Sequence, residues 1–121
     1  MKGDDIAERL LEFSALVLRI VGDLPGDRRS RHVSQQLVRS GTSGGANYEE
    51  ARSAESRADF AHKVLVAAKE VAEAVYWLKL LQRCGLTRGE GASRAVFEGR
   101  QLVAILKASA RTARAGVDAS A

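Results

Sequence analysis

Proline, cysteine and aromatic side chains are all scarce in this chain of 121 residues: Pro25, Cys84 and six aromatics are all that it has. A single cysteine closes no internal disulfide and leaves a cysteine-rich zinc cluster without ligands. So few aromatics, set among abundant Ala, Leu, Val, Arg and Glu, exclude a β-sandwich or barrel and favour helices. No apolar run approaches the roughly 18 residues needed to cross a bilayer, and no secretory signal is present, so a soluble, cytoplasmic chain without membrane contact is expected. Three site motifs are also missing. The Walker order Gly-x4-Gly-Lys-Ser/Thr is absent, Gly41, Gly44 and Gly45 miss the Rossmann spacing, and the Glu-x-x-His pair of di-iron bundles does not occur. His32 and His62 stand alone, and nothing pairs with Cys84 as a general base. No catalytic residue, metal or cofactor is therefore expected.

What remains is enough for one domain with one core. Its 19 Lys and Arg against 15 Asp and Glu leave a net charge of +4, which permits a polyanion partner without requiring one. Ile6, Leu10, Phe13, Leu16 or Val17, and Ile20 recur at spacings of three and four, which predicts a first helix over about 5–21. Asp4 or Asp5 would open it. The run "GDLPGDRRSR" from Gly22 is the first connection. Val33, Leu37 and Val38 resume the pattern for a second helix over 28–53. Ser56-Arg-Ala-Asp59 is a capping box that predicts a third helix over 57–83, and Gly85 supplies its stop. Thr87-Arg-Gly-Glu90 repeats the box for a fourth over 88–114, after which a small, polar tail should fray. Four helices with short connections predict an all-α, antiparallel up-down-up-down four-helix bundle.

The third helix is unusual. Its polar positions Asp59, His62, Lys63, Lys69, Glu70 and Glu73 crowd into an arc of about 120°, and most of the rest is apolar. A surface helix needs an apolar arc of only about 100° or a little more. A second chain covering the excess is the reading this supports, hence a homo-oligomer. Tyr76 and Trp77 lie inside this apolar segment and are expected to be buried in a core or an interface rather than to stack on bases.

Within the second helix, "SGTSGGANYEEA" over 40–51 poses a separate question. Three glycines would cost roughly 2–3 kcal/mol of helix propensity against alanine, so close packing must recover that or the helix must kink. Ser40, Ser43, Asn47 and Glu50 would form one polar line, and Lys69, Glu70 and Glu73 a second on the third helix. The two could meet as a network that fixes helix register, or, less simply, as a carboxylate site. Arg28, Arg29, Arg31 and His32 cluster at the start of the second helix. Arg100, Lys107, Arg111 and Arg114 fall within about 60° of one another on the fourth. Such a stripe could track a phosphate backbone by counterion release, or simply be solvated charge near a helix C-terminus.

The segment "RSGTSGGANYEEARSAESRADFAHKVLVAAKEVAEAVYWLKLL", Arg39 to Leu81, resembles the four-helix-bundle proteins encoded in intervening sequences of bacterial 23S ribosomal RNA genes. Their pattern of Arg-Ser-Gly-Thr-Ser, an apolar residue, Gly-Ala-Asn-Tyr, Glu-Ala, Phe-x-x-Lys, Lys-Glu and Tyr-Trp-Leu maps onto Arg39–Ser43, Gly45–Tyr48, Glu50, Ala51, Phe60, Lys63, Lys69, Glu70 and Tyr76–Leu78. Gly44 departs from it, standing where relatives usually carry an apolar residue. The resemblance implies a ring-shaped homopentamer. It also implies similarity to the accessory variability protein of diversity-generating retroelements, which works with a reverse transcriptase and its RNA. It implies no reaction. Five copies at +4 each would turn a weak basic patch into a substantial surface for RNA or DNA. A protein-interaction scaffold whose charge only keeps it soluble is the alternative.

Overall fold

The computed structural model describes the backbone of residues 2–120 and the side chains of residues 2–117. It contains four helices, α1 (Gly3–Gly22), α2 (Arg28–Arg52), α3 (Arg57–Arg83) and α4 (Glu90–Ser120), and no strand among the described residues.

Local chemistry sets most of the helix ends. Asp27 caps α2 by accepting from the Ser30 backbone N–H at 2.9 Å, and Ser56 caps α3 by accepting from that of Asp59 at 3.1 Å. At the other end of α3, Gly85 takes a φ of +70°, which a residue with a Cβ adopts only at a cost. The Leu86 N–H reaches back to the Leu81 carbonyl and that of Gly85 to Gln82, closing a Schellman motif. Two expected starts differ. Lys2 occupies the cap position of α1 without a side-chain bond, because Asp4 instead pairs with Arg52 of α2. Gly89, with φ +88°, breaks the helical path after Thr87, so α4 begins at Glu90 rather than at 88. It then continues through the segment expected to fray.

The contacts between helices follow a consistent order. Along α1 and α2, Asp4 meets Arg52 while Ser14 Oγ donates to the Gly41 carbonyl at 2.8 Å. Along α2 and α3, His32 meets Trp77 and Arg39 meets Glu70. Gln82 of α3 bonds Ser93 of α4, and Arg9 of α1 bonds Glu98 of α4. Residue numbers rise on one helix of each α1–α2 and α2–α3 pair as they fall on the other. α1 and α3 lie across the core from each other and share no close backbone approach.

Leu10, Phe13 and Val17 of α1, Leu37 of α2, Val64, Val71 and Leu78 of α3, and Leu102 and Leu106 of α4 fill the core. The glycines do not interrupt α2, which is helical through all three. They let its neighbours come close: a Cβ on Gly41 would lie 2.7 Å from Val17 Cγ1, and one on Gly44 2.5 Å from Val71 Cγ2. Neither distance is tolerable for two carbons in contact, so the propensity cost is offset by packing that alanine would prevent.

The apolar excess of α3 is resolved largely within the chain. α2 packs on one side and α4 on the other, burying Ala61, Val64, Ala67, Ala68, Val71, Ala74, Val75, Leu78 and Leu81. Coverage of α3 by its own neighbours thus replaces most of the need for a second chain. Tyr76 is not part of the chain's own core and stays 58% exposed, so of the expected core or interface only an interface could bury it. Among the described residues, Leu11 and Leu18 of α1 and Phe97 of α4 are the other large exposed apolar side chains. No helix among the described residues is long and apolar enough to cross a membrane.

Candidate nucleic-acid interface

The fourth helix turns Leu102, Leu106, Ala110 and Ala113 to the core, and that choice fixes where its cations go. Arg100, Lys107, Arg111 and Arg114 all fall on one flank, about 85–145° round the helix from the centre of that core face, and are exposed. They span 14 residues, about 21 Å of helix axis. Among the described residues none of the four takes part in an ion pair. Glu98, two residues before Arg100, is drawn round to α1 by Arg9 at 2.7 Å. Among the described residues the stripe is therefore a line of cations without a bound carboxylate.

Arg28, Arg29 and Arg31, also exposed, stand elsewhere. They occupy the first turn of α2, at the end of the molecule where Ile20 of α1 meets Gly91 of α4. From Gly91 to Arg100 is nine residues along α4, about 14 Å, and to Arg111 it is 20 residues, about 30 Å. The structure thus keeps the first set well away from Arg111 and Arg114 on a single chain, with Arg100 the member of the stripe nearest to it along the helix. The first set is also partly engaged: Arg29 bonds Asp27 at 3.1 Å and Arg31 donates to the Gly26 carbonyl at 3.2 Å. Asp27, held by the Ser30 N–H and secondarily by Arg29, has its pKa lowered from 3.8. It stays ionised and tempers the local positive field.

The two polar lines meet differently from the expected pattern. On α2, Ser40 Oγ donates to the Gln36 carbonyl at 2.8 Å, Ser43 to that of Arg39, and Asn47 Nδ2 to that of Ser43 at 2.8 Å. These side chains satisfy their own helix, as short polar groups in a helix interior tend to do. Arg39 alone crosses to α3, where it donates to Glu70 at 2.9 Å and to Glu73. Glu73 also accepts from the Trp77 indole N–H at 2.9 Å, and His32 packs edge-on against Trp77 with ring centroids 6.1 Å apart. Asn47, Glu50 and Lys69 lie outside this network. Spacing along α2 alone did not single out Arg39. Its signal was the pair Glu70 and Glu73, two carboxylates one turn apart that need a shared cation. With both bound to Arg39, they are set as acceptors and not as an acid–base couple.

Residues 4–108 match the family described as 23S rRNA-intervening sequence protein. A solved structure is also similar: a protein with unknown function from the S23 ribosomal protein family, from Bacteroides thetaiotaomicron VPI-5482. It is 35% identical, with a TM-score of 0.77 over 84% of this chain and 94% of that one. Among curated proteins none matches. The matched span takes in α1 from its second residue, all of α2 and α3 and the first 19 residues of α4, with the Arg39–Glu70–Glu73–Trp77 network and the head of the basic stripe inside it. The chain belongs to the 23S rRNA-intervening sequence protein family.

Proposed function

We propose that this protein is a non-enzymatic RNA- or DNA-binding, or accessory structural, protein that works as a homo-oligomer of antiparallel up-down-up-down bundles. The observation that carries the reading is the α4 stripe: four exposed cations on one face, with no carboxylate bound to them among the described residues. Fixed on a rigid helix over about 21 Å, they match a run of backbone phosphates better than any compact anion. Arg28, Arg29 and Arg31 supply a second contact region set apart from Arg111 and Arg114 on one chain, so the two cooperate through the length of a nucleic acid or through neighbouring copies. Family likeness favours a ring of five, working in the cytoplasm, and an accessory role beside a nucleic-acid enzyme such as a reverse transcriptase.

A salt titration of binding to labelled RNA and DNA tests this. At about 50 mM salt the wild-type chain binds, and the logarithm of its affinity falls linearly with that of salt. Arg111→Glu with Arg114→Glu weakens binding at low salt and flattens the slope. No binding at about 50 mM salt, or binding indifferent to those reversals, would leave the protein as an interaction scaffold.

A further inference from the structure

Two exposed apolar features sit on opposite sides of the chain, and they differ in charge. On α3, Tyr76 is 58% exposed. At 100° per residue, Lys69, Lys79 and Arg83 lie within about 60° of it, and the one carboxylate in that sector, Glu73, is taken up by Arg39 and the Trp77 indole N–H. Across the core, a groove of about 680 Å³ runs between α1 and α2. Its apolar lining is Ala7, Leu11, Gly45 and Ala46, where small side chains leave the space and Leu11 is 63% exposed. Asp4, Glu8 and Glu49 edge it. Arg52, also on the edge, is taken up by Asp4 and Glu49, and Glu8 is exposed to solvent with Glu12 one turn on. One face is thus an aromatic knob among cations, the other a small-residue groove edged by carboxylates.

We infer that Tyr76 of one copy seats in the α1–α2 groove of the next. This rests on the homo-oligomer reading above and names its interface. Neither face suits itself: two Tyr76 faces would oppose cation to cation, and two grooves carboxylate to carboxylate, both unfavourable at close range. Each suits the other, by shape and by sign. Tyr76 is exposed on α3 while the groove lies between α1 and α2, and α1 and α3 make no close backbone approach, so the pairing cannot be satisfied inside one chain. A contact between two different patches is heterologous, and repeating it closes a ring or extends a filament. The α4 stripe lies on neither patch and remains open to a polyanion.

Two substitutions at exposed positions, Tyr76→Glu on the knob and Ala46→Trp in the groove, test this by light scattering, with circular dichroism to confirm the helices. Wild type is an oligomer, and each variant alone is a folded monomer. Mixed in equal amounts they form a 1:1 dimer and nothing larger, because the intact knob of Ala46→Trp meets the intact groove of Tyr76→Glu. An oligomer that neither variant disturbs, or two monomeric variants that fail to pair, overturns this interface while leaving the homo-oligomer standing. A monomeric wild type overturns both.

Discussion

Gly44 and Val71 meet so closely across the α2–α3 seam that a single methyl group on the glycine would come within 2.5 Å of the valine Cγ2. Val71 is fully buried and β-branched, so it cannot swing aside. Gly44→Ala gains helix propensity of up to about 1 kcal/mol, yet overpacking of this kind costs typically about 1–3 kcal/mol. The expected outcome is a net loss, read as a lower urea midpoint. Adding Val71→Ala should recover part of it, since the clash and its remedy share one contact. A Gly44→Ala variant more stable than wild type would mean that the seam opens freely.

Arg39 bridges two carboxylates one helical turn apart, and it is about half exposed. Solvent therefore limits its contribution, and Arg39→Ala should cost roughly 0.5–1 kcal/mol. The sharper readout is Trp77, whose indole N–H donates to one of those carboxylates. Once Glu73 is released the indole environment changes, so Arg39→Ala and Glu73→Gln should each shift tryptophan emission. Lys69→Ala should leave it unchanged, because Lys69 is outside the network.

The two basic sets act independently if both contact nucleic acid. Arg28 and Arg29 stand at the Gly91 end of α4, about 30 Å along the helix from Arg111, well beyond the range at which substitutions normally couple. Losses in binding free energy from Arg28→Ala with Arg29→Ala, and from Arg111→Ala with Arg114→Ala, should then add in the quadruple variant. The salt slope should fall by about one for each cation that contacts a phosphate. Strong non-additivity would place both sets at one shared site between copies.

Asp27 gives the protein a pH dependence with a definite sign. Its pKa in the folded chain lies below 3.8 because the ionised carboxylate accepts the Ser30 N–H and faces Arg29. The ionised form thus favours folding: its contribution is complete above the unfolded carboxylate range, near pH 4, and is lost as pH falls through the lower folded value. Asp27→Asn keeps a capping oxygen without a titrating group. Denaturation midpoints at pH 6 and pH 3 should differ less in that variant than in wild type.

Much of the fold was legible because it is written locally. The all-α class follows from composition and period, and Ser56 and Gly85, on either side of α3, act through bonds only three to five residues long. The family string from Arg39 to Leu81 lies wholly inside the matched span. What escaped depends on register between helices. Tyr76 and Trp77 are neighbours in one apolar run, but 100° of rotation sends Trp77 toward α2 and Tyr76 to solvent. The separation of the basic sets follows from which end of α4 meets Ile20, and Arg39 acquires its role only once α3 lies beside it. Thr87 had the right spacing for a cap, and the backbone at Gly89 overruled it.

The lodging of α1 has a consequence for motion. It rests on α2 and α4 alone, more sparsely than α3 rests on the same two helices, and carries Leu11 and Leu18 on its outer side. In a small bundle such a helix is the segment that opens first. Its amides should exchange with solvent fastest and those of α3 slowest, and whatever closes over Leu11 would slow the exchange of α1 before that of any other helix. The lifetime of the groove beside α1 is then set by how long that one helix stays docked.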